Sequence, residues 1–322
     1  FCSQTCFFLY INSINHTLYL RLKGFFTDEP QYYRWGTPYT KMLAPYFQEQ
    51  YGMDILDGLG LLFVEKEGYR AFRYRYWKAM QSLLLENFAK RVYDWCDRHG
   101  YKFTGHYIEE TFLGGQMWCC GGIMPFYEYE HIPGIDYLCK FVRDEISAKQ
   151  VSSVAAQLGK RQVLTETYGC CGWNVTPLEL KMMAEAQYVA GVNLMCQHLL
   201  PFTEHGQRKR DYPAHYSKIN PWVRKSFREF NDYFSVLGKI LAESDELVNV
   251  AMLHPIRSAY FNYKYSAQDR HGIGELEDAF DSLVEKMTAM QLPHHYLDET
   301  ILAKHGRVEG ASLVVGQCRY EF

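Results

Sequence analysis

Several short apolar runs in this chain end on acids, imidazoles or amides. "GFFTDEP" places Asp28 and Glu29 after two phenylalanines, and "FTGHYIEE" places His106, Glu109 and Glu110 after Phe103. "QVLTETYGCCGWN" delivers Glu166 into Tyr168, two cysteines, glycines and Trp173, and "GVNLMCQHLL" carries Asn193, Gln197 and His198. Carboxylates brought from separate segments to one hollow can divide a proton-transfer reaction. One gives a proton to a leaving oxygen while the other activates water or attacks carbon, which is the chemistry that breaks a glycosidic bond. A single acid is more often a helix cap, a solvated charge or a partner for arginine. A set of acids at successive strand ends is harder to explain that way, because buried-edge charge must be solvated or used. His106 and His198 could ligate a metal beside these acids, but no H-x-H or H-E-x-x-H spacing is present, and contacts to substrate hydroxyls are the preferred reading. The basic loop "EHGQRKRDYPAHYS" is by default a solvated loop; as an alternative, Arg210 and its neighbours fold over the mouth and clamp a polyhydroxylated ligand.

The elements that must position these residues follow from the pattern between them. Apolar periodicity predicts a helix from Tyr69 to His99, closed by Gly100. Gly159 suits the end of a helix over "AKQVSSVAAQLGK". Thr176 with Glu179 forms a capping-box pattern, with Pro177 at the first helical position. Strands alternating with helices predict a parallel sheet, since a parallel crossover needs a dozen or more residues. Repeated over some 240 residues, this suits a (β/α)8 barrel, whole or lacking strands, better than an open doubly wound sheet. In such a barrel the C-terminal ends of the strands share one face, so the residues above would meet there.

The pattern changes near residue 245. "PWVRKSFREFNDYFSVLGKILAES" reads as a closing amphipathic helix. "LVNVAMLHP", "ELEDAFDSLVEKMTAMQ", "HHYLDETIL" and "SLVVGQCRYEF" read as strand, helix, strand-and-turn and strand. The expected organisation is an α/β barrel domain over 1–244 and, over 245–322, the start of a flavodoxin-like α/β domain. The chain opens without Met and stops in what reads as mid-strand, so a piece of a longer protein is expected.

Composition narrows the partners. The 34 basic and 37 acidic residues give a net charge of −3, which offers no signature of a nucleic-acid or membrane-surface partner. Aromatic residues make up 16% of the chain, enough either for a tyrosine-rich core or for a cleft that stacks on sugar rings. The ten cysteines include two adjacent pairs and no C-x-x-C, which fits reduced thiols and a cytoplasmic setting rather than a disulfide framework or zinc ribbon. No stretch approaches the length of a membrane span.

Together "GFFTDEP", "FTGHYIEE", "IPGID", "LTETYGCCGW" and "GVN" followed by "RKRDYP" resemble bacterial glycoside hydrolases with a TIM-barrel catalytic domain, closest to the family 106 α-L-rhamnosidases, over residues 20 to 225. "NVAMLHP" with "LDETIL" resembles the amidotransferase-like domain of family 42 β-galactosidases. The resemblance implies a glycosidase acting on a terminal sugar, with Glu29 as general acid and Glu166 as general base, and Glu110 competing for the acid role. Asp28, His106, Glu109, Tyr168, Trp173, Asn193, Gln197, His198 and Arg210 would bind substrate. No required cofactor and no metal ligand is assigned, although calcium is a family feature. Retaining barrel enzymes usually carry an acid after the seventh strand, where "GVNLMCQHLL" has none. The expected outcome is therefore inversion, with the carboxyls ~6.5–9.5 Å apart. Alternatives are a carbohydrate-binding barrel without catalysis, a β-galactosidase-like retaining enzyme, and a metal-dependent hydrolase built on His106 and His198.

Overall fold

Short apolar runs and amphipathic stretches alternate along the chain, and the computed structural model turns them into a mixed α/β protein. It describes residues 22–32, 36–140, 145–172, 174–198, 221–265 and 269–321. Trp173, Arg210 and the basic loop lie outside the described residues. Two structural units are present.

The first unit takes the described residues up to His131, then Leu253–Lys286 and Asp298–Thr300. In chain order it begins with β1 (Gly24–Thr27) and α1 (Leu43–Tyr51). A long helical stretch follows, made of α2 (Tyr69–Leu84), a π-helical turn over Leu85–Ala89 and α3 (Lys90–Arg98). Gly100, at φ 74°, ends it as the sequence predicts, and a residue with a Cβ would be strained there. The chain then enters β2 (Lys102–Gly105), α4 (Leu113–Cys119) and the single turn α5 (Met124–Tyr127). β1 and β2 pair in parallel, with Thr27 opposite Gly105. A Cβ on Gly105 would meet the Thr27 carbonyl oxygen at 2.4 Å, so glycine is required for this pairing. The core gathers the rings of Phe47, Phe72, Tyr76, Trp77 and Tyr260 with the Met117 thioether, large side chains whose burial dominates the apolar driving force.

The second unit takes Ile132–Met252, Met287–Leu297 and the described residues from Ile301 onward. It runs β3 (Gly134–Tyr137), α6 (Glu145–Gln157), β4 (Leu164–Thr167), α7 (Pro177–Val189), β5 (Leu194–Gln197) and α8 (Pro221–Ala242). β3, β4 and β5 form a parallel sheet in that order. The capping box forms as expected: the Thr176 side chain accepts from the Glu179 N–H, and Glu179 reaches back to the Thr176 N–H at 2.7 Å. Gly159 adopts φ 70° just past α6.

Strand β6 (Val250–Leu253) comes next, then α9 (Ile256–Asn262) and α10 (Gly274–Ala289), which belong to the first unit as far as Lys286. In the second unit, β7 (His294–Leu297) pairs with β6. Helix α6 supports β7 through side chains: Ser153 Oγ accepts from the Tyr296 N–H and Gln157 Nε2 donates to its carbonyl, both at 2.9 Å. Buried backbone groups that lack a strand partner are satisfied in this way.

The C-terminal part differs from expectation in two ways. "DETIL" is not a turn but the start of helix α11 (Glu299–His305), capped by Asp298, whose carboxylate accepts from the Thr300 N–H at 2.7 Å. "SLVVGQCRYEF" is not one strand but two. With β8 (Gly306–Glu309), β9 (Ser312–Val315) and β10 (Cys318–Glu321) make an antiparallel meander. Its two-residue loops begin at Gly310 and Gly316, both at positive φ, the conformation that tight hairpins demand. A flavodoxin-like reading expects parallel pairing here. The glycines select hairpins instead.

Candidate active site

In the first unit the acids cluster around the ends of β1 and β2. The ladder continues past β2, where the His106 N–H donates to the Thr27 carbonyl at 3.3 Å. This brings the His106 imidazole, 2% exposed, to Asp28, with Nε2 3.1 Å from Oδ1. Glu29 joins them at φ 48°. Asp28, Glu29 and His106 each offer a ligand atom within 4.8 Å of the others, the one such group of three among the described residues. The donor set is two carboxylates and an imidazole nitrogen. Calcium takes six to eight oxygens, so this set does not fit it.

Glu109 is half-buried at φ 58°, and a Cβ on Gly115 would lie 2.7 Å from its own Cβ, so Gly115 makes room for it. Glu110 is 2% exposed. Its Oε1 accepts from the Tyr107 N–H at 3.2 Å and the Tyr127 hydroxyl at 3.0 Å. Burial first, then the charges of Glu130 and Glu110, hold Tyr107 well above the usual phenol range; Tyr127 is raised in the same way. Glu110 therefore sits in an interior network of acids and phenols, away from solvent.

In the second unit Glu166 lies on β4, a strand buried along its whole length, with its side chain 12% exposed. Side chains alternate along a strand. Thr165 and Thr167 point to α7, where Thr165 Oγ1 donates to Gln187 Oε1 at 2.5 Å and Gln187 Nε2 donates to Thr167 Oγ1 at 3.1 Å. Glu166 faces the other way. His198, just past β5, is held by its N–H on the Thr167 carbonyl at 2.8 Å, and its Nε2 stands 3.5 Å from Glu166 Oε1. Gly169 makes this approach possible: a Cβ there would meet Leu138 Cδ2 at 2.7 Å and His198 Cγ at 3.0 Å. The Cys196 thiol is pushed up by burial and then by the Glu166 charge.

Three expected substrate contacts are placed elsewhere. Tyr168 is buried at φ 82°, and its hydroxyl donates to the Leu180 carbonyl at 3.0 Å, so it anchors α7. Asn193 precedes β5 rather than ending it. Its Oδ1 accepts from the Val163 N–H and its Nδ2 donates to the Arg161 carbonyl, both at 2.9 Å, at the opposite end of the strands from Glu166. Gln197 is in register with Thr167 and donates to Asn231 Oδ1 on α8 at 2.8 Å, on the face away from Glu166. A cavity of about 900 Å³ lies on that side, lined by Gln197, Asn231, Phe234 and Lys239 among others.

One acid not singled out by sequence is Asp136. It is the in-register partner of Glu166 on β3. The two-residue period of β3 puts Asp136 on the opposite face from Ile135; only pairing reveals which neighbour it meets.

No protein-family profile matches the chain, and no curated protein matches it by sequence. Solved structures do. A rhamnosidase from Novosphingobium sp. PP1Y matches with a TM-score of 0.58 and 19% identity, over 88% of this chain and 26% of that one. A beta-galactosidase from Rahnella sp. R3 matches at 0.55 and 11% identity, over 82% and 43%. A catalytic mutant of a GH42 beta-galactosidase from G. stearothermophilus matches at 0.53 and 8%, over 82% and 44%. The chain spans less than half the length of each of these structures. Its fold is that of a glycoside hydrolase-like α/β protein.

Proposed function

We propose that this chain is the catalytic part of a glycoside hydrolase that cleaves a terminal glycosidic bond with two carboxylates, α-L-rhamnosidase-like and inverting. Glu166 acts as general base and Glu29 as general acid, with Glu110 the competitor for the acid role. The observation that carries the reading is Glu166 itself: a carboxylate on a fully buried strand, turned away from the helix-facing threonines and met by an imidazole. A purely structural acid in that position would be an expensive choice, since a buried charge without purpose is destabilising. Fold likeness to a rhamnosidase and to beta-galactosidases supports the reaction class and orders the substrates, rhamnosides first and galactosides second. The same proposal includes a barrel architecture for residues 1–244, an amidotransferase-like domain from 245 and a cytoplasmic setting. It needs no cofactor.

The test is a screen of aryl glycosides with the full-length protein. Release of the aryl alcohol from an α-L-rhamnoside, with the free sugar first appearing in the inverted anomeric form, is the expected result. Sugar binding without turnover on any glycoside would leave a carbohydrate-binding protein instead.

A further inference from the structure

Helix α4 begins without a cap of its own. The residue before it, Phe112, makes no capping hydrogen bond, yet the first N–H groups of a helix need an acceptor. Glu277 supplies it from α10, 163 residues further along the chain and in the same unit. Its Oε1 accepts from the Gly114 N–H at 2.6 Å, and its Oε2 accepts from Arg270 Nη2 at 2.9 Å. Both oxygens are thus engaged, which offsets the cost of holding a carboxylate only 5% exposed. A Cβ on Gly114 would lie 3.1 Å from Glu277 Oε1, so the glycine leaves room for this approach.

The turn that delivers Arg270 is strained. Arg270 and His271 stand at φ 43° and 59°, followed by Gly272 at φ 77°. Two successive non-glycine residues in the left-handed region persist only where surrounding contacts hold them. Here the His271 carbonyl accepts from the Lys264 N–H at 3.0 Å, the His271 ring stacks on Tyr263 at 5.3 Å, and Arg270 Nη1 donates to Asp278 Oδ1 at 2.6 Å.

The first turn of α4 in its turn touches both acids of "HYIEE". Gly115 stands against Glu109, where an added Cβ would come within 2.7 Å of the glutamate's own, and Gln116 Nε2 donates to the Glu110 carbonyl at 3.0 Å. A shift at Gly114 is therefore passed directly to the neighbours of Glu109 and Glu110. We infer that Glu277 and Arg270 are positioning residues of the first-unit site: the pair fixes the start of α4 and, through Gly115 and Gln116, the placement of Glu109. That Glu109 contacts substrate rests on the proposed function above; the anchoring rests on the hydrogen bonds.

Amide exchange followed by mass spectrometry on the full-length protein tests the anchoring without any substrate. The variants are Glu277→Ala and Arg270→Ala; the Arg270 side chain is exposed, so its removal leaves the core intact even if Glu277→Ala fails to fold. Exchange over 106–116 is expected to speed up by about tenfold or more while β4 keeps its wild-type rate. Unchanged exchange over 106–116, or a rise that β4 shares, overturns the inference. Steady-state kinetics on an aryl glycoside give the second readout. With Glu29 and Glu166 left in place, the expected result is a KM raised about tenfold or more at nearly unchanged kcat, the mark of lost binding rather than lost chemistry. A wild-type KM in a variant whose 106–116 segment has loosened overturns the positioning role. If exchange comes out as expected while the wild-type protein turns over no glycoside, the anchor stands and the glycosidase reading falls. If turnover is present and exchange is unchanged, the reverse holds.

Discussion

His198 Nε2 stands 3.5 Å from Glu166 Oε1, and the space for that approach is left by Gly169, where any Cβ would press on both Leu138 and the imidazole. This contact gives the glycine in "TETYGCCG" a reason other than a tight turn. Gly169→Ala should push His198 off Glu166. The expected result is a loss of about 1–3 kcal/mol of stability from overpacking, read by denaturant unfolding, and a fall in turnover out of proportion to that loss. Unchanged turnover would separate His198 from the chemistry.

Glu110 can be tested against its competing roles. Its carboxylate accepts from the Tyr107 N–H and the Tyr127 hydroxyl in the interior. Tyr127→Phe removes one donor and should cost about 1–3 kcal/mol, the range for stranding a buried polar group. Glu110→Gln should likewise lower the melting temperature. If Glu29 is the acid, the rate at a temperature where the variant remains folded changes little. A rate loss of ~10²-fold or more at full folding would move the acid role to Glu110.

Two groups with large shifts contribute to how stability responds to acid. Burial pulls the His254 imidazole down to about 3, so the folded protein keeps it neutral while the unfolded chain protonates it below ~6.5. Its contribution is full above that pH and is lost as pH falls towards 3. For Glu246, burial alone would raise the carboxyl, but the hydrogen bond from His295 and the charge of Lys149, 2.8 Å away, prevail and take it to about 2. Its contribution is present above the unfolded carboxylate range near ~4.3 and is lost as pH falls through 2. With solvent screening allowed for, it is about 1 kcal/mol. Melting temperatures measured from pH 7 to 3 should fall first below pH 6.5, less steeply in His254→Gln, and again below pH 4.5, less steeply in Glu246→Gln. Parallel curves in either variant would contradict the assignment.

The helix starts and stops were legible because their signals are local. Thr176, Pro177 and Glu179 form a cap within one turn, and Gly100 and Gly159 end helices through their own φ. Thr176→Ala should cost about 1 kcal/mol on that account, read as a drop in the denaturant midpoint. The positions of short strands were legible too, from apolar runs bounded by polar residues. What the chain did not disclose were facts of pairing. Asn193 and Gln197 sit in the same run as His198, yet one precedes the strand and the other faces α8, because a one-residue step reverses the face. Asp136 became visible only when β3 was set beside β4. The hairpins at Gly310 and Gly316 replace an expected single strand because two glycines six residues apart each admit a tight reversal.

The most direct measurement is the turnover of an aryl α-L-rhamnoside by Glu166→Gln in the full-length protein, with folding checked by its melting curve. The account predicts a wild-type-like melt and a rate lowered by at least ~10²-fold, the loss expected when a positioned general base is removed. A folded Glu166→Gln variant that turns over at the wild-type rate would contradict it.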